Sequence, residues 1–495
     1  MCKLCRSAGP NRRSFLKFAA AGAAATAALP TFLSGPAAAQ SLPQGVGQQG
    51  RRTLIRGGHV MSMDPAIGDF ERGDVLLEGS RILEIAPSID APDAAVIEAG
   101  GRIVMPGFID THHHQFETAL RSFLPNGIMY ATPEREGARN YLDDILGKLS
   151  VVYRPDDVYI SELFGGISQL DAGVTTVHDV SQIHHSPAHS DAAIRGLRDA
   201  GRRGVFGYFE GYGADAQYPQ DARRIRDEHF SSDDQMLTMI MGGEAYLPDV
   251  DPLDLWRLGQ ELDLPIALHV VGSLGMAETM DRLIPHFTDR HLFIHMTGMS
   301  DAAWQRTREV GAHVSLSVPI EMQMRHGMPP IQKALDMGIA PSLSVDVECT
   351  MTADFFTQMR GAMTLQRAFA NQAALEGAED APTLLTSRDV LEFATVNGAK
   401  DLWLDHKVGS LSPGKEADII LLDAEALNVA PLNNAPGAVV NLMERSNVET
   451  VLSAGEIRKW KGEMVGFDLL ALTDQITRSR DYLFETAGIE RSLFD

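Results

Sequence analysis

Cysteine is scarce, three in 495 residues, and two of the three (Cys2 and Cys5) stand at the extreme N-terminus. Cys349 is alone in the rest of the chain. That excludes an intramolecular disulfide there, and it leaves the Cys2–Cys5 pair without the second CxxC of a four-thiolate metal site. Basic residues are outnumbered: 43 Lys and Arg face 66 Asp and Glu, a formal charge of −23. A field of that sign repels nucleic acid and anionic lipid, so neither is expected as a partner. After the N-terminal leader no stretch reaches the ~18 uninterrupted apolar residues of a membrane span. Fixed-period repeats, low-complexity tracts and a GxGxxG loop opening a helix are missing too. With 44% hydrophobic and 22% charged residues the chain is neither disordered nor fibrous, and its length is about three times a ~150-residue domain.

The leader comprises residues 1–39. Asn11-Arg12-Arg13-Ser14-Phe15-Leu16-Lys17 carries paired arginines, an Ala-rich apolar run extends from Phe18 to Leu33, and Ala37-Ala38-Ala39 offers small residues for cleavage before Gln40. This order reads as a twin-arginine signal peptide and predicts a periplasmic protein, free of the membrane once cleaved. Losing the leader's five basic residues takes the formal charge from −23 to −28.

Residues 52–106 read as short strands between Gly turns, and residues 409–465 return to the same texture. Between them, over residues 107–408, short β-branched runs alternate with amphipathic helical stretches. The runs are Gly107–His114, Gly173–Val180, Gly204–Gly211, Leu237–Tyr246, Pro265–Gly272, Leu292–Gly298, His313–Val318 and Pro341–Asp346. Eight such alternations predict a (β/α)8 TIM barrel, with a doubly wound open sheet as the alternative. The two flanks are expected to join as one small β-sandwich beside the barrel, with a helical tail over residues 466–495.

The chemistry concentrates at strand ends. Asp110-Thr111-His112-His113-His114 closes the first run, and residues at i and i+2 share a face, so His112 and His114 are expected at the barrel mouth with His113 turned away. His269 ends the fifth run, His295 the sixth and Asp346 the eighth. Barrel enzymes build their sites at the C-terminal ends of strands, and imidazoles converging with a carboxylate are metal-ligand chemistry.

These residues carry a resemblance. Ile103-Val104-Met105-Pro106-Gly107-Phe108-Ile109-Asp110-Thr111-His112-His113-His114 resembles the strand-one signature of the amidohydrolase superfamily. Val408-Gly409-Ser410-Leu411-Ser412-Pro413-Gly414-Lys415-Glu416-Ala417-Asp418 is similar to its return into the β-domain. The branch most resembled holds cytosine deaminase and the triazine hydrolases. The resemblance implies one divalent metal ion, Zn2+ before Fe2+ or Mn2+, held by His112, His114, His269 and Asp346. It gives His295 to the substrate or the attacking water; a carboxylate at the metal can also accept the water's proton, which makes Asp346 the expected general base.

Two departures from that branch stand out. The deaminases carry a glutamate three residues after the strand-five histidine, where this chain reads His269-Val270-Val271-Gly272. The binuclear branches use a lysine late in strand four, where this chain has Ile240-Met241-Gly242-Gly243-Glu244. Glu244 is a candidate second carboxylate bridging two ions, against a supporting role behind a ligand. Glu321, after strand seven, is a candidate substitute acid or substrate contact. His326, His184 and His185 are further candidates for lining a substrate pocket. The expected activity is hydrolysis of a C–N bond (amide, urea, carbamate or cyclic amide) in a small organic molecule. Aminohydrolase or chlorohydrolase action on a nitrogen heterocycle is the alternative, ahead of a lyase or decarboxylase and of a scaffold without catalysis. A homo-oligomer is left open.

Overall fold

The computed structural model describes residues 42–494 apart from Gln44; the twin-arginine motif and its cleavage site lie outside the described residues. The chain first forms strands β1 (Arg52–Met61), β2 (Asp69–Glu78), β3 (Arg81–Ala86), β4 (Ala95–Glu98) and β5 (Arg102–Pro106). Eight strands follow: β6 (Phe108–His113), β7 (Val174–Ser181), β8 (Arg203–Tyr208), β9 (Leu237–Gly242), β10 (Ile266–Val271), β11 (His291–Thr297), β12 (His313–Leu316) and β13 (Ser342–Leu343). The last four are β14 (Ile419–Asp423), β15 (Val448–Ser453), β16 (Glu456–Trp460) and β17 (Glu463–Met464).

β6 to β13 pair in sequence order, all parallel, in an eight-stranded sheet. It closes into a (β/α)8 barrel where Asp346, just past β13, bridges to β6: Asp346 N donates to His112 O at 2.9 Å and His114 N donates to Asp346 O at 2.8 Å. The flanks share one nine-stranded sheet, because β14 pairs antiparallel with β5 from Ile419 opposite Pro106 to Asp423 opposite Arg102. Period-two alternation divides that sheet's two faces. Ile419, Leu421, Val104 and Leu452 pack into the sheet's own core, while Ile420, Leu422, Ile103 and Val451 pack toward the barrel's helices. The chain crosses from one sheet to the other at Gly107, where an added Cβ would sit 2.2 Å from Thr175 Oγ1.

Inside the barrel Ile109, Val205, Ile240, Ala267, Leu292 and Ile294 form a core sealed by Leu402, Leu404 and Val408. Several strands stop short of their apolar runs. β13 ends at Leu343, and three residues on Asp346 adopts φ 71°, outside extended geometry. β12 ends at Leu316 because Val318–Gln323 turns helical, which places Glu321 on a helix rather than in a loop. Helices Pro155–Asp171 and Phe355–Leu375 fill stretches that the strand pattern left unread. The C-terminal helix Leu469–Ala487 starts where Asp468 caps Ala471 N and stops at Gly488 in the left-handed region. Among the described residues no helix is long and apolar enough to cross a membrane.

Candidate metal centre and its cavity

Simple alternation would not put the β6 histidines where they are. Ile109 packs in the barrel core, and Thr111 Oγ1 meets Ser315 Oγ and Ser342 Oγ at 2.7 and 2.8 Å across it. Continued, that pattern would send His113 inward. Between Asp110 and His113, however, β6 takes three steps while β7 takes two, from Val177 to Asp179. This bulge turns His112 and His114 into the mouth. His113 goes outward, where its ring lies 3.4 Å from Asp110 Oδ2. On β10, Ala267 faces the core, so His269 two residues on shares that side. On β11 the inward residues are Leu292 and Ile294, and His295 would face out. Instead His295 and Met296 take φ 73° and 52°, the register slips against β10, and the ring swings in. Left-handed backbone at His295, Met296 and Asp346 costs about 1–3 kcal/mol each, strain of the kind that collects at functional sites.

The result is a tight set of ligand atoms. His112 Nε2 lies 3.1 Å from both His114 Nε2 and His269 Nε2, and the last two are 3.3 Å apart. Asp346 Oδ1 is 3.7 Å from His112 Nε2 and 3.6 Å from His114 Nε2. Ligands around a tetrahedral Zn2+ with bonds of about 2.0–2.1 Å would be about 3.3 Å apart. The donors behind the rings decide whether a cation fits. His114 donates from Nδ1 to Val180 O at 3.0 Å, and His269 from Nδ1 to Glu244 Oε1 at 2.6 Å. Both Nε2 atoms therefore present lone pairs to each other, a repulsion that a cation between them turns into coordination. The residues fit a divalent ion.

Burial first, then the neighbouring imidazoles, hold the His112 and His295 pKa values well below the usual histidine range; burial and His269 do the same for His114. Neutral imidazole is the ligating form. Burial raises Asp346 well above the carboxylate range, aided by Glu117 and Glu321; a bound cation would reverse that direction.

The remaining sequence candidates fall differently. Glu244 is fully buried behind His269: it accepts from that ring and from His269 N, and burial pushes its pKa up to about 7. Glu321 does not line the cavity either. Its Oε1 accepts from His295 Nδ1 at 3.1 Å and from Ser317 N at 2.9 Å, and burial raises its pKa to about 8. His184 is turned to Ser190 Oγ, and His185 is spent between Ser150 O and Tyr212 N, so neither reaches the cavity. His326 does line it, its ring 4.6 Å from that of His295. Asp346 also groups with His295 and His326 on the cavity side.

The cavity holds about 260 Å3 over the ligand cluster and has largely apolar walls, including Met129, Leu142, Leu146, Val271, Leu274 and Val347. Five polar side chains in it were not among the sequence candidates: Tyr141, Gln182, Glu210, Tyr212 and Tyr246. Glu210 stands two residues past the end of β8, and that position was the only signal available. Gly272 is held to glycine by its neighbours, since a Cβ there would meet Thr297 O at 2.7 Å and Gly298 Cα at 3.0 Å. The backbone of this chain thus has no room for a glutamate at that place.

Comparison with known proteins agrees with the geometry. The Amidohydrolase family profile matches residues 103–458. A 5'-deoxyadenosine deaminase of Methanosarcina acetivorans is 25% identical over 418 residues, 82% of this chain and 92% of that one. A 5-methylthioadenosine/S-adenosylhomocysteine deaminase of Symbiobacterium thermophilum is 29% identical over 414 residues, 77% of this chain and 87% of that one. Among solved structures, an adenosine deaminase from Xanthomonas campestris with bound zinc superposes with a TM-score of 0.76 at 21% identity, covering 88% of this chain and 99% of that one. An atrazine chlorohydrolase from Arthrobacter aurescens complexed with zinc gives 0.74 at 19% identity, with 86% and 100% covered.

Proposed function

Because the chain belongs to the amidohydrolase family, a metal-dependent hydrolase of C–N bonds, we propose that its ion is zinc, one per chain, and that its substrate is a small, largely apolar organic molecule. The observation that carries this reading is the convergence of three Nε2 atoms within 3.1–3.3 Å beside Asp346, two of them with lone pairs fixed inward by the hydrogen bonds behind them.

His112, His114, His269 and Asp346 would hold the ion, which when bound makes a water nucleophilic at neutral pH. Asp346 Oδ2 is buried and has no hydrogen-bond partner among the described residues, which suits it to take the proton that the attacking water gives up. His295 Nε2 lies 3.6 Å from that oxygen and faces the same cavity, so it is the next stop for the proton on its way to the leaving nitrogen. Glu321 sits behind His295 with Oε1 3.1 Å from Nδ1, and it orients the ring that takes up the proton. It is a positioning residue.

Hydrolysis of an amide, urea, carbamate or cyclic amide ranks first, because that path asks for no ring protonation and Gly272 offers no acid. Deamination of a nitrogen heterocycle is the second reading, favoured by the names of the relatives. Elemental analysis together with a panel of amides, ureas and aminoheterocycles tests both. Zinc near one per chain and turnover of amides or ureas are expected. Two ions at full occupancy, the second at His295, His326 and Asp346, would overturn the single-ion reading. Export through the twin-arginine route is proposed on Arg12-Arg13 and Ala37–Ala39 alone, and normal export after both arginines are changed to Lys would refute it.

A further inference from the structure

Two carboxylates line the cavity. Asp346 belongs to the ligand set; Glu210 has no part in the reaction as derived. Glu210 is 3% exposed, and its neighbours treat its two oxygens unequally. Oε1 accepts from Gln182 Nε2 at 2.8 Å and from Tyr246 OH at 2.7 Å, and Gln182 Nε2 also donates to the Tyr246 oxygen at 2.7 Å. The local donors thus converge on one oxygen and hold the carboxylate in place. Oε2 is buried and has no hydrogen-bond partner among the described residues. An acceptor left in that state is costly unless something else satisfies it.

The surroundings state what that something is. Among the described residues that line the cavity there is no Lys or Arg to pair with Oε2. The rings of Tyr212 and Tyr246 line the same cavity, and aromatic faces favour a cation and repel an anion. Glu210 also stands apart from the converging ligand atoms of His112, His114, His269, His295, His326 and Asp346. Resting on the hydrolase reading, we propose that Glu210 Oε2 receives a cationic or N–H-bearing nitrogen of the substrate. The enzyme thereby selects small molecules with an apolar body and an amine, amidinium or ring N–H group set apart from the bond that is cleaved.

Binding, rather than turnover, tests this. Benzamidine, a planar cation on an apolar ring, is compared with benzamide, its neutral isostere, by isothermal titration of the zinc-loaded protein, with metal content measured on each sample. Benzamidine is expected to bind at least about tenfold tighter than benzamide. Glu210→Gln should weaken benzamidine about 10- to 100-fold and leave benzamide within about threefold, the difference between a charge-assisted hydrogen bond and a neutral one. Equal affinities in the wild type, or a preference that survives Glu210→Gln, would overturn the assignment. Should that variant not fold, a crystal structure of the wild type with benzamidine decides: the amidinium is expected on Glu210 Oε2, and an amidinium seated elsewhere refutes the proposal. Failure of the hydrolase reading would look different, as missing zinc or an inert substrate panel with the benzamidine preference intact.

Discussion

Glu244→Gln isolates what a residue behind a ligand contributes to metal affinity. The wild-type carboxylate accepts from His269 Nδ1 at 2.6 Å and from His269 N at 3.2 Å, fully buried. It fixes the proton on Nδ1, so Nε2 keeps its lone pair for the ion, and its charge makes that lone pair more basic. Glutamine has the same shape and its carbonyl can accept from Nδ1, but the bond becomes neutral. Charge-assisted hydrogen bonds are worth about 1.5–3 kcal/mol and neutral ones about 0.5–1.5, a loss of about 1–1.5 kcal/mol. That is about tenfold in zinc affinity, at the low end of the 10–100-fold range typical of such partners. Competition against a chromophoric chelator measures it, and calorimetry of the metal-free protein supplies the control. The metal-free variant should match the wild type within about 1 kcal/mol, because no volume is lost and a buried carboxylate is removed. Zinc affinity unchanged within about threefold would refute the reasoning. So would a metal-free variant that loses as much stability as the zinc-bound one.

Three further outcomes are expected. Asp346→Asn should lower kcat/KM by about 10²–10⁴-fold, the usual worth of a general base, and near-native turnover with zinc still bound would exclude Asp346 from that role. Gly272→Glu should not restore ring-deaminating chemistry and should lower the unfolding free energy by about 1–3 kcal/mol, as overpacking does, since its Cβ would meet backbone at Thr297 and Gly298; a variant as stable as the wild type would show that the backbone yields there. Stability should fall on acidification. Burial lowers the pKa of His184 to about 3 and of His291 to about 4, below the ordinary 6.5, so between those values the unfolded chain binds more protons than the folded one. Their contribution is whole above pH 6.5 and shrinks by about 2 kcal/mol each by pH 5. Urea unfolding at pH 7 and pH 5 reads this, and His184→Gln with His291→Gln should flatten the difference.

What the sequence by itself determined is what depends on near neighbours along the chain. β-branched runs bounded by glycine marked the barrel strands, and polar residues at the ends of four of them named His112, His114, His269, His295 and Asp346, since strand ends in a barrel all open on one mouth. The tertiary structure decided the rest, because it turns on where a side chain points after the strand stops. The bulge in β6 and the left-handed backbone at His295 set which rings face inward, and both arise from register against neighbouring strands. Glu321 left the cavity because Val318–Gln323 coils into a helix, and His184 and His185 left it because Ser190, Ser150 and Tyr212 claim their nitrogens. Glu210 entered it through Gln182 and Tyr246, 28 and 36 residues away along the chain. Contacts at that separation leave no periodic trace, and hydrogen bonds formed only on folding choose between a buried carboxylate that faces a substrate and one that faces a ligand's back.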